Sequence, residues 1–175
     1  MKNLNPRLTK ATLLDYPTIQ NMARFYVYEM SRECGLNDKD WAIPPDGLYE
    51  SFDFKKYFIE PHREAYLIHV DDEIAGFVLL YYTNESKEQL WHIGEFFVIA
   101  RFQKNHIGQR IAHEIWRKYP SQWEVSVIPE NKRALNFWEK TISSFTKHVT
   151  QEQRTVDFDT VQPSRIFFTF NSSNP

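Results

Sequence analysis

The chain has 175 residues, 42% of them apolar and 16% aromatic, enough to fill one sizeable core. Lys and Arg total 21 against 23 for Asp and Glu, and a net charge of −2 supplies no positive field for sequence-independent nucleic-acid binding. No apolar run is long enough to span a membrane, the first residues do not show the continuous apolar stretch expected of a secretory signal, and the lone Cys34 excludes an intramolecular disulfide framework or a cysteine-based metal cluster.

These features predict a cytoplasmic protein with one domain over residues 1–175, an ordered core over about 7–170 and an ordinary thiol at Cys34. A short strand is predicted over residues 7–12. Asp15 and Tyr16-Pro17 then open a helix whose Ile19, Met22, Ala23, Tyr26, Val27 and Met30 recur at helical spacing. Gly35, Pro44, Pro45 and Gly47 break the segment that follows, before a second short helix over residues 52–59. Residues 65–70 and 74–82 read as a hairpin joined by Asp71-Asp72-Glu73, and 91–100 as a third long strand. From Ile107 the pattern changes to Ile107, Ile111, Ala112, Ile115, Trp116 and Tyr119, the stripe of an amphipathic helix. A strand over 123–128, a helix over 131–142 and strands near 145–149 and 165–170 close the chain. The order implies an α/β (α+β) domain: a mixed, mostly antiparallel sheet of six or seven strands, flanked by about four helices and containing two βα units.

The chemistry concentrates where the strand ending at Ile99 passes through a polar loop into the Ile107 helix. The first amides of a helix have no internal acceptors, so the junction is an anion site, to which Arg101, Lys104 and Arg110 add charge. Gly108 lacks a Cβ, which either lets a phosphate approach or eases helix packing. Neither G-x-x-x-x-G-K-[ST] nor G-x-G-x-x-G is present, which disfavours triphosphatase and Rossmann readings. Downstream, Asn131 starts the next helix as an N-cap.

Taken together, Gln103-Lys104-Asn105-His106-Ile107-Gly108 and Asn131-Lys132-Arg133-Ala134-Leu135-Asn136-Phe137-Trp138 resemble the coenzyme A motifs of the GNAT superfamily of N-acetyltransferases, Q/R-x-x-G-x-G/A and N-x-x-A-x-x-F-Y. The resemblance implies acetyl-CoA as co-substrate, with the amides of Phe97 and Ile99, and the adjoining Val98, along the pantetheine arm. It also implies Gln103, Lys104, Asn105, His106, Ile107, Gly108 and Gln109 around the pyrophosphate, and the side-chain amide of Asn131 on the coenzyme. The cleft would be a splay between the strand of Glu95 and the strand of Trp123. Two departures stand out. His106 replaces a glycine, and Trp138 replaces the tyrosine that serves many members as an acid, a role an indole N–H cannot fill.

Glu95 is the candidate base, projecting to the face of Phe97 and Ile99 among aromatics that raise its pKa; its alternative is a structural ion pair. By strict alternation His92 falls on the opposite face, as a buried, hydrogen-bonded histidine. His69, His113 and His148 are scattered, and no metal-ligand spacing occurs. Tyr26, Tyr28, Glu29 and Tyr81 or Tyr82 are candidates for the acceptor side. Glu29, Glu33, Asp38, Asp40, Asp46, Glu50 and Asp53 cluster by sequence and would attract a cationic amine, or form a solvated face. The leading expectation is acetyl transfer from acetyl-CoA to a primary amine of a small molecule or peptide by direct attack, with no nucleic-acid or membrane partner. Alternatives are a non-catalytic acyl-CoA binding or sensor domain and a plain interaction domain. Exposed aromatics in the closing strands would permit a homodimer by edge pairing.

Overall fold

A computed structural model describes residues 4–36, 39–84 and 89–173. The strands are β1 (Pro6–Lys10), β2 (Arg63–Val70), β3 (Glu73–Thr83), β4 (Leu90–Val98), β5 (Gln122–Val127), β6 (Val149–Thr155) and β7 (Ser164–Asn171). The helices are α1 (Tyr16–Cys34), α2 (Lys56–Ile59), α3 (Ile107–Lys118) and α4 (Lys132–Ser143). Strands associate in the order β1-β2-β3-β4-β5-β7-β6. Every neighbouring pair is antiparallel except β4–β5, which run parallel through the α3 crossover.

Two apolar layers hold the sheet. On one face α3 and α4 bury Ile107, Ile111, Ile115, Trp116, Trp138 and Ile142 against Val78, Leu80, Trp91, Trp123 and Phe170. On the other, Ile19, Met22 and Ala23 of α1 and Tyr57 of α2 pack on Phe77, Leu79 and Phe97. The helical stripes read from the sequence are the faces that face the sheet. No helix of the described residues is long and apolar enough to cross a membrane.

Three expectations about the strands need correction. The strand predicted near 145–149 begins at Val149 and runs to Thr155, because Phe145 and Thr146 still donate to the carbonyl of Ile142 and close the end of α4. The closing-strand aromatics are not exposed: Phe167, Phe168 and Phe170 retain 7% or less of their surface, and the edge strand β6 is polar. Finally, β4 is not a regular strand. Ile93 pairs with Leu80 and Glu95 with Leu79, so Gly94 is an extra residue, a β-bulge. The Tyr57 hydroxyl occupies the space at Gly94, 2.2 Å from where a Cβ would stand.

Candidate active site

The β4–β5 pairing consists of Leu90↔Gln122, Trp91↔Trp123 and His92↔Glu124, after which the strands part. The resulting cleft of about 1540 Å³ runs from the α3 N-terminus, between β4 and β5, to the segments after α1 and before β7. Its position agrees with the splay expected from the sequence.

At one end stands the anion loop. Lys104 (φ 62°) and His106 (φ 58°) adopt left-handed backbone with Asn105 between them, an alternation that turns successive N–H groups into one concavity. Histidine tolerates this conformation better than most residues, which is how it substitutes for a glycine here. Arg110 N is the first α3 amide bonded back to the loop, to His106 O at 3.0 Å, so those of Ile107, Gly108 and Gln109 lack intrahelical acceptors.

Gln103 lies at the centre of a junction. Its Nε2 donates to Val98 O at 2.8 Å and to the Glu29 carboxylate at 3.0 and 3.1 Å, and its Oε1 accepts from Arg133 Nη2 at 2.9 Å. Its side chain therefore fastens α1, β4 and α4 around the loop and is not available to a phosphate. Glu29, expected on the acceptor side, is drawn into this junction.

Other sequence-predicted cofactor contacts separate under the geometry. Ile99 N donates to Ala75 O at 2.8 Å, so that amide is taken by β3. Along an antiparallel strand the N–H and C=O of each residue point to one side and alternate, so Phe97 also faces β3 while Phe96 and Val98 face the splay. The Val98 carbonyl, turned toward Gln103, agrees. The Asn105 side chain folds back on the carbonyls of Phe102 and Gln103 (3.4 and 3.0 Å) and does not line the cleft. A Cβ at Gly108 would lie 3.0 Å from the Phe137 ring, so the glycine serves helix packing. Asn131 caps α4, its Oδ1 accepting from Ala134 N at 3.0 Å, and its Nδ2 points to Met30 Sδ at 3.0 Å.

Of the expected cations only Lys104 lines the cleft. Arg101 pairs with Glu73 at 2.9 Å, and Arg110 reaches Leu4 O at 2.7 Å. Arg133 and Lys140 of α4 take their place, and neither is identifiable without the α4 packing. Trp138 is buried edge-on to Phe96 at 5.2 Å, next to Phe137 at 4.8 Å.

Glu95 lies on the α1 side of β4. Tyr26 donates its hydroxyl to it, and its pKa is pushed up to about 7, chiefly by burial, against the lowering effects of the Tyr26 hydrogen bond and the Lys56 charge. Among the described residues it makes no ion pair with Lys or Arg. Burial and the neighbouring Glu95 in turn hold the Tyr26 hydroxyl well above its ordinary pKa.

The bulge at Gly94 consumes one residue of alternation, and this corrects the placement of His92. It shares a face with Glu95, stacks on Tyr81 (4.5 Å, 10° between planes), and lies 3.6 Å from Glu124. Tyr81, rather than Tyr82, lines the cleft; Tyr82 packs on Trp91 on the other face. Tyr28 is 64% exposed outside it. Tyr57, Arg63 and Lys56 also line the cleft and were not anticipated. The acidic cluster disperses: Glu29, Glu33 and Glu50 line the cleft, Asp53 accepts from Tyr16, and Asp46 caps Leu48 N. Asp38 and the Asp40 side chain lie outside the described residues.

His69, His113 and His148 lie away from the cleft, and among the described residues no group of three His, Cys, Asp or Glu could hold a metal. Cys34 is a buried free thiol, its pKa raised by burial.

A sheet parted at its parallel pair, with unpartnered helix amides at the loop beyond the parting, has the shape and the donors that suit an extended, phosphorylated carrier. The sequence matches the model of the acetyltransferase (GNAT) family over residues 25–142, and the chain belongs to that family. It is thus an acetyl-CoA-dependent acyltransferase. No curated protein matches the sequence.

Solved structures share the fold. An acetyltransferase from Thermus thermophilus is 12% identical with a TM-score of 0.64, over 98% of this chain and 99% of that one. A spermidine N-acetyltransferase chimera that includes the Vibrio cholerae enzyme is 14% identical with a TM-score of 0.61, over 97% and 96%. A putative streptothricin acetyltransferase from Bacillus anthracis, in complex with acetyl coenzyme A, is 15% identical with a TM-score of 0.53, over 70% and 69%.

Proposed function

We propose that this chain, as one acetyltransferase domain over residues 1–175, acetylates a primary amine of a small molecule or peptide, with Glu95 as general base. Acetyl-CoA, when bound, supplies a thioester carbonyl open to direct attack. The observation that carries the reading is the placement of Glu95, a half-buried carboxylate with no ion pair to Lys or Arg among the described residues, on the wall of the cleft that also holds the loop before α3, where desolvation pushes its pKa up to about 7.

An ammonium must lose a proton before it attacks, and a carboxylate of pKa about 7 is ionised enough at neutral pH to take it while remaining a competent base. Tyr26 holds that carboxylate in place, and Tyr81 borders the position of the incoming amine. The amides of Phe96 and Val98 fit an arm that contains amide groups. Those of Lys104, His106, Ile107, Gly108 and Gln109, with Lys104, Arg133 and Lys140, fit a pyrophosphate. Gln103, Glu29 and Asn131 fasten the walls.

The spermidine enzyme among the structural neighbours supports an amine acceptor. A cytoplasmic location suits the single, unpaired Cys34. A homodimer through the free edge of β6 is expected to sediment at twice the monomer mass.

A thermal-shift titration tests the coenzyme site. Acetyl-CoA and CoA at roughly a hundredfold excess over Kd should each raise the midpoint by about 5–10 °C, whereas a nicotinamide dinucleotide leaves it unchanged. Lys104→Glu combined with Arg133→Glu should remove most of the shift. An unmoved midpoint at saturating acetyl-CoA sinks the reading.

A further inference from the structure

Resting on the assignment of Glu95 as the base for amine acetylation, we propose that the acceptor carries an oxyanionic group close to its amine, a carboxylate or a phosphate, held by Arg63 with help from Lys56. Arg63 begins β2 directly opposite Tyr81, and Tyr81 lies opposite His92, so the three stand in one row across the sheet on the cleft side. The adjacent row contains Leu79 and Glu95. The arginine therefore stands two strands across and two rungs along the sheet from the base, in the next row that faces the cleft.

Its guanidinium is fixed before any ligand arrives. The Tyr57 ring lies 4.9 Å from it and the Tyr81 ring 5.2 Å, and Nε donates to Glu60 Oε2 at 2.5 Å. The Arg63 side chain also hydrogen-bonds the Tyr57 hydroxyl, the group seated against Gly94. The side chain is only 17% exposed, so the entropy of ordering it has been met by the fold. Glu60 engages one edge of the fork, and the residue as a whole lines the cleft.

An arginine that only bridges surface charges has no need of two aromatic walls; one that reads a planar anion does, because stacking sets the plane of the fork. Lys56 lines the same end of the cleft and, among the described residues, has no ion pair. A polyamine would bring a second ammonium against these two cations. An amino acid or an amino phosphate would bring a partner for them.

The test compares acceptors that differ only in the anionic group, followed by thiol release from acetyl-CoA. Tyrosine is set against tyramine, lysine against cadaverine, arginine against agmatine, and serine against ethanolamine and phosphoethanolamine, the last trio separating carboxylate from phosphate. At least one member with the anionic group should exceed its counterpart without it by about tenfold or more in kcat/KM. In Arg63→Gln that ratio should fall to near one through a higher KM for the anionic member. The counterpart should stay within about twofold of its original rate, and Arg63→Lys should retain part of the preference.

A preference for the decarboxylated amines, no turnover of any anionic member, or an equal loss on both members in Arg63→Gln overturns the proposal. The CoA-induced thermal shift, measured on the same samples, shows whether each variant is folded. Turnover of the amines that lack the anionic group, without a preference, leaves the acetyltransferase reading intact and removes this one alone.

Discussion

Glu95→Gln should lower kcat/KM for acetyl transfer by about a hundredfold or more at pH 7.5, with the coenzyme-induced thermal shift unchanged. Glutamine keeps the shape and still accepts the Tyr26 hydroxyl, so the difference reports on the proton acceptor and not on the cleft. In the wild type, kcat/KM should rise with pH along a limb centred near 7, where Glu95 loses its proton, and the variant should lack that limb. Tyr26→Phe gives an independent check. The Tyr26 hydrogen bond lowers the Glu95 pKa, so without it the limb should move to higher pH while the plateau changes little. A Glu95→Gln enzyme within about threefold of wild type would exclude the carboxylate as base.

The same carboxylate makes a stability prediction whose sign follows from the direction of its shift. Its folded pKa, about 7, is above the ordinary 4.5, so the folded state holds the proton more tightly than the unfolded chain. As pH rises from 4.5 to 7 the unfolded chain ionises first, and stability is lost across that window. Glu95→Gln has no charge to bury. It should match wild type near pH 4 and melt about 10 °C higher near pH 8, trading activity for stability. Equal melting at both pH values would mean that the carboxylate is not buried at a cost.

Much of this fold was legible because its helices are amphipathic and its hairpin turn is polar. The α3 stripe from Ile107 to Trp116 could only face a sheet. Paired motifs at Gln103 and Asn131 located the anion loop for the same local reason: a strand, a short polar loop and an uncapped helix start are neighbours in sequence. What escaped depends on register. The Gly94 bulge moves His92 onto the face of Glu95, and alternation counted along the sequence has no means of registering an inserted residue. Arg63 comes opposite Tyr81, and Arg133 reaches Gln103, only once β2 and α4 are in place. Arg101 and Arg110 look like phosphate ligands by proximity, yet the fold turns them to Glu73 and to the chain near Leu4.

The other large effect lies at Gly76, at the rung that sets where the anion loop begins. Gly76 pairs with Val98 and has φ 157°, and a Cβ there would stand 2.0 Å from the Phe97 carbonyl oxygen, a backbone atom that no rotamer change can move. Alanine must therefore separate β3 from β4 where Ile99 N donates to Ala75 O and Val98 O accepts from Gln103. Urea unfolding should show a loss of about 3 kcal/mol or more, within the range of backbone strain combined with a broken buried hydrogen bond. The coenzyme-induced thermal shift should shrink as well, because the end of β4 aims both the Val98 amide and the loop. A Gly76→Ala protein of unchanged stability would mean that β3 and β4 do not approach at this rung. One that is destabilised but binds coenzyme as wild type does would mean that the loop is positioned by Gln103 and α3 alone.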